Sequence, residues 1–122
     1  MGRKVLLVDD ETTTIKMGTF LLKGKFNILT AMNGKQALEI AKKEKPDIIL
    51  LDIIMPEMNG FEALEKLKED KLTKDIPVVM LTAKEKMDDV EHAMSLGARA
   101  YLVKPLNLNT GLVKKIEEFL AG

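Results

Sequence analysis

At 122 residues the chain can build one domain with a two-sided core and has no room for a second module. Its 46% hydrophobic and 31% charged residues describe an ordinary soluble globular protein, and 19 Lys plus Arg against 19 Asp plus Glu leave no net charge to draw it onto nucleic acid or a membrane surface. With no cysteine there is no disulfide or thiolate zinc site, and the lone His92 builds no imidazole cluster, so any metal must be a hard, oxygen-bound ion.

Val5 to Val8 reads as a short buried strand that stops at the acids Asp9-Asp10-Glu11. That apolar run is too short for an export signal, Leu6 stands where a myristoylation motif would need Ser or Thr, and no segment is long enough to span a bilayer. The expected location is the cytosol. Thr12 to Lys23 reads as a helix with Ile15, Gly18 and Leu22 on one face, its three threonines suiting a first turn and Gly24 a C-terminal cap. Phe26 to Ala31 is the next strand, ended by the turn signal Asn33-Gly34, and Lys35 to Lys43 is helical with Ala37, Leu38 and Ala41 toward the sheet.

After Pro46, Ile48 to Leu51 is apolar at every position, the pattern of a strand covered on both faces in a parallel sheet. It runs into Asp52, then into a loop shaped by Pro56 and Gly60. Phe61, Leu64 and Leu67 mark the following helix, and a charged linker from Asp70 to Asp75 leads to Pro77 and the strand Val78 to Leu81, which ends at Thr82 before a polar loop from Ala83 to Met87. Asp88 to Leu96 is a helix with Val90, Ala93 and Met94 inward, closed by Gly97. Ala100 to Val103 is a fifth strand ending at Lys104-Pro105, and a last helix near Asn109 to Leu120 carries Leu112, Val113, Ile116, Phe119 and Leu120 at helical spacing. Strands and helices alternate throughout, and right-handed crossovers then place helices on both faces of a parallel sheet: an α/β, doubly wound single domain.

In such sheets ligands bind at the carboxyl ends of the strands. Here those ends read Asp9 and Asp10, Asp52, Thr82, and Lys104 with Pro105. Close carboxylates repel, each pair at about 4 Å costing about 4 kcal/mol at an effective dielectric near 20, so something positive has to sit among them. Lys104 supplies one charge and a divalent cation the rest, Mg²⁺ being the natural choice for carboxylate, carbonyl and water ligands. A hydroxyl, an ammonium, a metal and a carboxylate together suit a phosphoryl group, with Asp52 as the nucleophile and Thr82 donating to a phosphoryl oxygen. Taken singly the same residues have plainer readings: Asp52 as a turn cap, Asp9-Asp10 as a helix N-cap with an acidic first turn, Thr82 as an end-of-strand hydroxyl, Tyr101 as an edge aromatic, Lys104 as a solvated lysine. His92 reads as a surface residue, and Met55 and Met58 as shapers of the site's loop.

Val8-Asp9-Asp10, the stretch Asp52-Ile53-Ile54-Met55-Pro56-Glu57-Met58-Asn59-Gly60, Leu81-Thr82-Ala83, Gly97-Ala98 and Tyr101-Leu102-Val103-Lys104-Pro105 stand in order along essentially the whole chain, 1–122. In this order and spacing they resemble the receiver domain of two-component response regulators. The resemblance implies a flavodoxin-like fold of five parallel strands in the order 2-1-3-4-5 with five helices. It implies that Asp52 takes a phosphoryl group from a histidine kinase or phosphotransfer protein, or from a small acyl phosphate. Asp10, Asp52 and the Ile54 carbonyl would hold Mg²⁺, Asp9 acting mainly through water, Lys104 would pair with the phosphoryl group, and the Lys104-Pro105 peptide would be cis. It further implies a switch in which Thr82 moves toward the phosphoryl group and Tyr101 turns inward, altering the surface of the fourth helix, fifth strand and fifth helix for a downstream effector protein.

Arg99-Ala100 stands where winged-helix transcription factors of the family carry two acids, which argues against their phosphorylation-dependent dimer; a monomer or weak dimer is expected, with no direct nucleic-acid or membrane contact. No output domain is encoded, so the chain resembles a stand-alone, chemotaxis-type or relay component, and a domain excised from a longer protein would look the same. Ile54, two residues past Asp52, cannot orient water, and a long-lived phosphoryl group is expected. Two other functions compete. A phosphohydrolase of the haloacid dehalogenase type wants a second acid where Ile54 stands, and a phosphorylation-independent binding module would not need Asp9, Asp10, Asp52, Thr82 and Lys104 together.

Overall fold

The uninterrupted apolar runs of the sequence form the centre of one sheet, buried on both sides by helices. The computed structural model describes residues 2–55, 57–83, 88–106 and 111–121. In chain order its elements are β1 (Lys4–Val8), α1 (Thr12–Leu22), β2 (Asn27–Ala31), α2 (Gly34–Glu44), β3 (Ile48–Asp52), α3 (Gly60–Glu69), β4 (Val78–Ala83), α4 (Asp88–Ser95), β5 (Ala100–Lys104) and α5 (Leu112–Ala121). All pairings are parallel and the order is β2-β1-β3-β4-β5, the expected flavodoxin-like arrangement.

Because side chains alternate along a strand, each run divides between two cores. Leu6, Val8, Ile49, Leu51, Val78 and Met80 meet Ala37 and Ala41 of α2, Ala63, Leu64 and Leu67 of α3, and Ala93 of α4. Val5, Leu7, Ile48, Leu50, Val79, Leu81 and Leu102 meet Leu22 of α1 and Leu112 and Ile116 of α5 on the other face. Burying one Leu or Ile of this kind is worth roughly 1.5–3 kcal/mol, so the central strands β1 and β3 anchor whatever stands at their ends.

Several details depart from the sequence reading. β4 runs on through Ala83, since Thr82 and Ala83 still pair with Val103 and Lys104 of β5. Met94 is exposed instead of inward: the short helix α4 reaches the core through Val90 and Ala93, and the next residue is turned away from them. Asn33-Gly34 serves as a helix start, the Asn33 side chain accepting a hydrogen bond from the Gln36 amide at 2.9 Å, and Asn59-Gly60 does the same for α3 through Glu62 at 3.0 Å. Gly24 lies just past α1 with a left-handed φ of +85°. Pro56, most of the expected loop before α4 (84–87) and the expected start of the last helix at Asn109 lie outside the described residues.

Candidate functional site

The carboxyl ends of β1, β3, β4 and β5 border a cleft of about 320 Å³ lined by Asp10, Glu11, Asp52, Ile54, Thr82 and Lys104 among others. Asp9 follows the last residue of β1, Asp52 is the last of β3, and Lys104 is the last of β5. One carboxylate oxygen from each of Asp9, Asp10 and Asp52 lies within 4.8 Å of the others, which makes them the acidic trio anticipated from the strand ends. Asp9 is fully buried and Asp52 nearly so, while Asp10 is exposed. Asp9 and Asp10 do not cap α1. Glu11 holds the N-cap position without a side-chain cap and no acid lies in the first turn; instead, Oδ1 of Asp9 accepts the Glu11 amide at 2.9 Å.

Lys104 is not solvated. Its Nζ donates to Oδ2 of Asp9 at 3.1 Å and to Oε1 of Glu11 at 2.5 Å, and stands 3.2 Å from Oδ1 of Asp52. The peptide joining Lys104 to Pro105 is cis. Burial works against the ammonium, yet the Glu11 hydrogen bond and the charges of Asp52 and Asp9 outweigh it and hold the Lys104 pKa above the ordinary lysine value. Asp52 behaves oppositely. Burial, then the neighbouring Asp9 charge, push its carboxyl from 3.8 up to about 7, against the lowering effect of Lys104. One ammonium therefore does not neutralise this cluster, and the remaining negative charge, carried on oxygen donors alone, suits a hard divalent cation.

The loop after β3 is held against the strand it leaves. The Gly60 amide donates to the Ile53 carbonyl at 2.7 Å, and a β-carbon on Gly60 would overlap the backbone carbonyl oxygen of Asp52. Only glycine allows α3 to begin so close to the strand end. Between them Glu57 adopts a left-handed φ of +67°, and the Ile54 side chain is exposed. Thr82 is buried at the cleft, its Oγ1 donating to the Ala83 carbonyl at 3.1 Å. Tyr101 is not brought into the cleft: it lies on the edge strand, 41% exposed. His92 is exposed as expected, but its ring meets Phe61 of α3 edge-on with centroids 4.5 Å apart.

The residue that sequence reasoning passed over is Glu11. It was visible as the third acid in Asp9-Asp10-Glu11, but nothing in the spacing says that it reaches across to a lysine 93 positions later.

The sequence model of the response regulator receiver domain matches residues 5–117. The chain is 41% identical over 120 residues to protein PilH of Pseudomonas aeruginosa, covering 98% of each. It is 37% identical over 108 residues to the alkaline phosphatase synthesis transcriptional regulatory protein PhoP of Bacillus subtilis, where it covers 88% of this chain but 44% of that protein. Among solved structures, a putative response regulator from Chloroflexus aurantiacus superposes with a TM-score of 0.93 at 29% identity, covering all of both chains. The chemotaxis response regulator CheY4 of Vibrio cholerae gives a TM-score of 0.84 at 32% identity, covering 98% of this chain and 99% of that one.

Proposed function

Since the chain belongs to the response regulator receiver family, we propose that residues 1–122 form a single receiver domain acting as a phosphoryl-accepting switch, with Asp52 as the acceptor. The observation that carries this reading is the position of the Asp52 carboxylate: buried at a strand end, 3.2 Å from the Lys104 ammonium, grouped with Asp9 and Asp10, and lining the cleft beside Asp10. A carboxylate oxygen of Asp52 attacks the phosphorus of a phosphohistidine on a histidine kinase or phosphotransfer protein. The P–N bond breaks, its electron pair returns to the imidazole nitrogen, and an acyl phosphate remains on Asp52. With a small acyl phosphate as donor, the bond broken is P–O.

The donor set supports Mg²⁺ as the cofactor: Asp10, Asp52 and the Ile54 carbonyl would hold it, and Asp9, whose two oxygens accept the Glu11 amide and the Lys104 ammonium, would act mainly through water. When bound, Mg²⁺ supplies positive charge for the phosphoryl oxygens. Lys104 stabilises the same charge from the β5 side, and the Thr82 hydroxyl donates a hydrogen bond to a phosphoryl oxygen. The domain catalyses its own phosphorylation and dephosphorylation and turns over no separate substrate. Ile54, where a phosphohydrolase of this type needs a second acid, supports that reading.

Output passes through α4, β5 and α5 to a downstream effector protein. Tyr101, exposed on β5, turns inward when Thr82 moves toward the phosphoryl group. The domain works as a cytosolic monomer or weak dimer; among the described residues no helix is long and apolar enough to cross a membrane. The test is labelling by acetyl phosphate followed by mass spectrometry. Mg²⁺-dependent addition of one phosphoryl group, lost in Asp52→Asn, is the expected result; unchanged labelling of that variant would refute the assignment.

A further inference from the structure

Three carboxylates share the one ammonium at the cleft, and they are not equivalent. Lysine has three N–H donors and no more, and here Nζ faces Asp9 at 3.1 Å, Asp52 at 3.2 Å and Glu11 at 2.5 Å. The carboxyls of Asp9 and Asp52 are fixed at the ends of buried strands. Releasing either from Lys104 leaves a buried charge without its cation. The Glu11 side chain is 60% exposed and sits on the loop between β1 and α1, where its carboxylate can turn into water at little cost. Phosphorylation turns the Asp52 carboxylate into an acyl phosphate whose anionic oxygens reach for the same ammonium; Asp9 stays buried beside it, so of the two remaining carboxylates Glu11 is the one that can yield at little cost.

We propose that Glu11 competes with the phosphoryl group for Lys104, so that its carboxylate holds the lysine in the unphosphorylated domain and lowers the site's affinity for phosphoryl oxygens. This rests on Asp52 being the phosphoacceptor. Glu11 is a positioning residue: it acts through Lys104 and takes no part in bond making. The arrangement gives the domain a built-in resting partner for its lysine, and phosphorylation becomes an exchange of one anion for another.

The experiment uses the intact chain with Mg²⁺ and beryllofluoride, a stable phosphoryl mimic, titrated by calorimetry, with acetyl phosphate labelling in parallel. Glu11→Gln removes the competing charge. The contact is partly exposed, so the gain is that of a modest ion pair, and beryllofluoride should bind about two- to fivefold tighter. Glu11→Asp keeps the charge but is one methylene too short to hold the lysine, and it should follow Glu11→Gln. Equal affinity in Glu11→Gln and the parent overturns the proposal. So does a Glu11→Asp variant that matches the parent while Glu11→Gln binds tighter, because charge at the rim, and not the contact, would then be responsible. If the parent neither binds beryllofluoride nor labels at Asp52, the phosphoacceptor reading itself fails and takes this inference with it; labelling at Asp52 with no effect of Glu11 removes the inference alone.

Discussion

The Lys104 ammonium lies 3.2 Å from Oδ1 of Asp52 although their strands are not neighbours, with β4 running between β5 and β3. Strands two apart are separated by about 10 Å, and the lysine stem covers most of that width. The contact ties the edge of the sheet to its centre. Lys104→Ala should destabilise the domain at pH 8 by about 2–4 kcal/mol, because Asp9 and Asp52 lose their shared cation while remaining buried. Urea unfolding checks this. The loss should be smaller in an Asp52→Asn background, where one of the two stranded charges is gone.

Asp52→Asn alone should stabilise the metal-free domain. With a folded-state pKa of about 7 against an ordinary 3.8, the folded domain retains a proton on Asp52 that the unfolded chain has released. Stability therefore falls as pH rises between about 4 and 7 and levels off above that. The linkage ceiling is about 4 kcal/mol, and screening inside a cleft open to water reduces it, so about 1–3 kcal/mol is expected at pH 8. Melting temperatures of parent and variant in chelator should coincide near pH 4 and separate up to pH 7. A constant gap across that range would assign the effect to packing.

Mg²⁺ should stabilise the parent at pH 8 by about 2.7 kcal/mol at a hundredfold excess over the dissociation constant, rising logarithmically with further metal and raising the melting temperature, and chelation should reverse it. Protons compete for the Asp52 carboxylate below about pH 7, so the metal's apparent affinity should drop there. Asp10→Asn should weaken binding at every pH. Titration calorimetry at pH 6 and pH 8 reads both effects.

Gly60→Ala should cost about 1–3 kcal/mol, since a methyl group there meets the backbone of Asp52 and Ile53 and not the end of a flexible side chain. The same displacement would move the Asp52 carboxylate. Acetyl phosphate labelling should slow along with the loss of stability, whereas a purely structural effect would leave the rate per folded molecule unchanged.

Ile54→Asn should shorten the life of the phosphoryl group, because the exposed apolar side chain at this position gives way to one that can hold a water near the acyl phosphate. Release of inorganic phosphate from the two labelled proteins measures it. Equal or slower release by the variant removes the idea.

Much of this was legible because the signals are local. Runs such as Val5-Leu6-Leu7-Val8 and Ile48-Ile49-Leu50-Leu51 are buried throughout, and the acids that end them are carried to one edge by the parallel topology. Thr82, Lys104 and the aspartates are therefore found together at the cleft where the strand ends placed them. What could not be read depends on distance in sequence or on solvent. Glu11 meets Lys104 across 93 positions, a contact that no periodicity encodes. Met94 obeys helical spacing yet faces water, since α4 is too short and peripheral to bury more than a narrow stripe. Ala83 reads as loop from its polar neighbours, but pairing with Lys104 keeps it in the strand.

The strand order divides the cleft into two unlike halves. The central pair β1 and β3 leads to the acids, whereas β4 and β5, toward one margin of the sheet, carry the hydroxyl of Thr82 and the ammonium of Lys104; the opposite margin, β2, ends at Ala31, and among the described residues none of its side chains lines the cleft. A change at the centre therefore meets its polar side-chain partners on one flank, while β2 reaches the acids through its backbone, the Ala31 carbonyl accepting the Asp9 amide at 3.1 Å. If Asp52 is the phosphoacceptor, the signal has a direction before any partner arrives, toward β4 and β5.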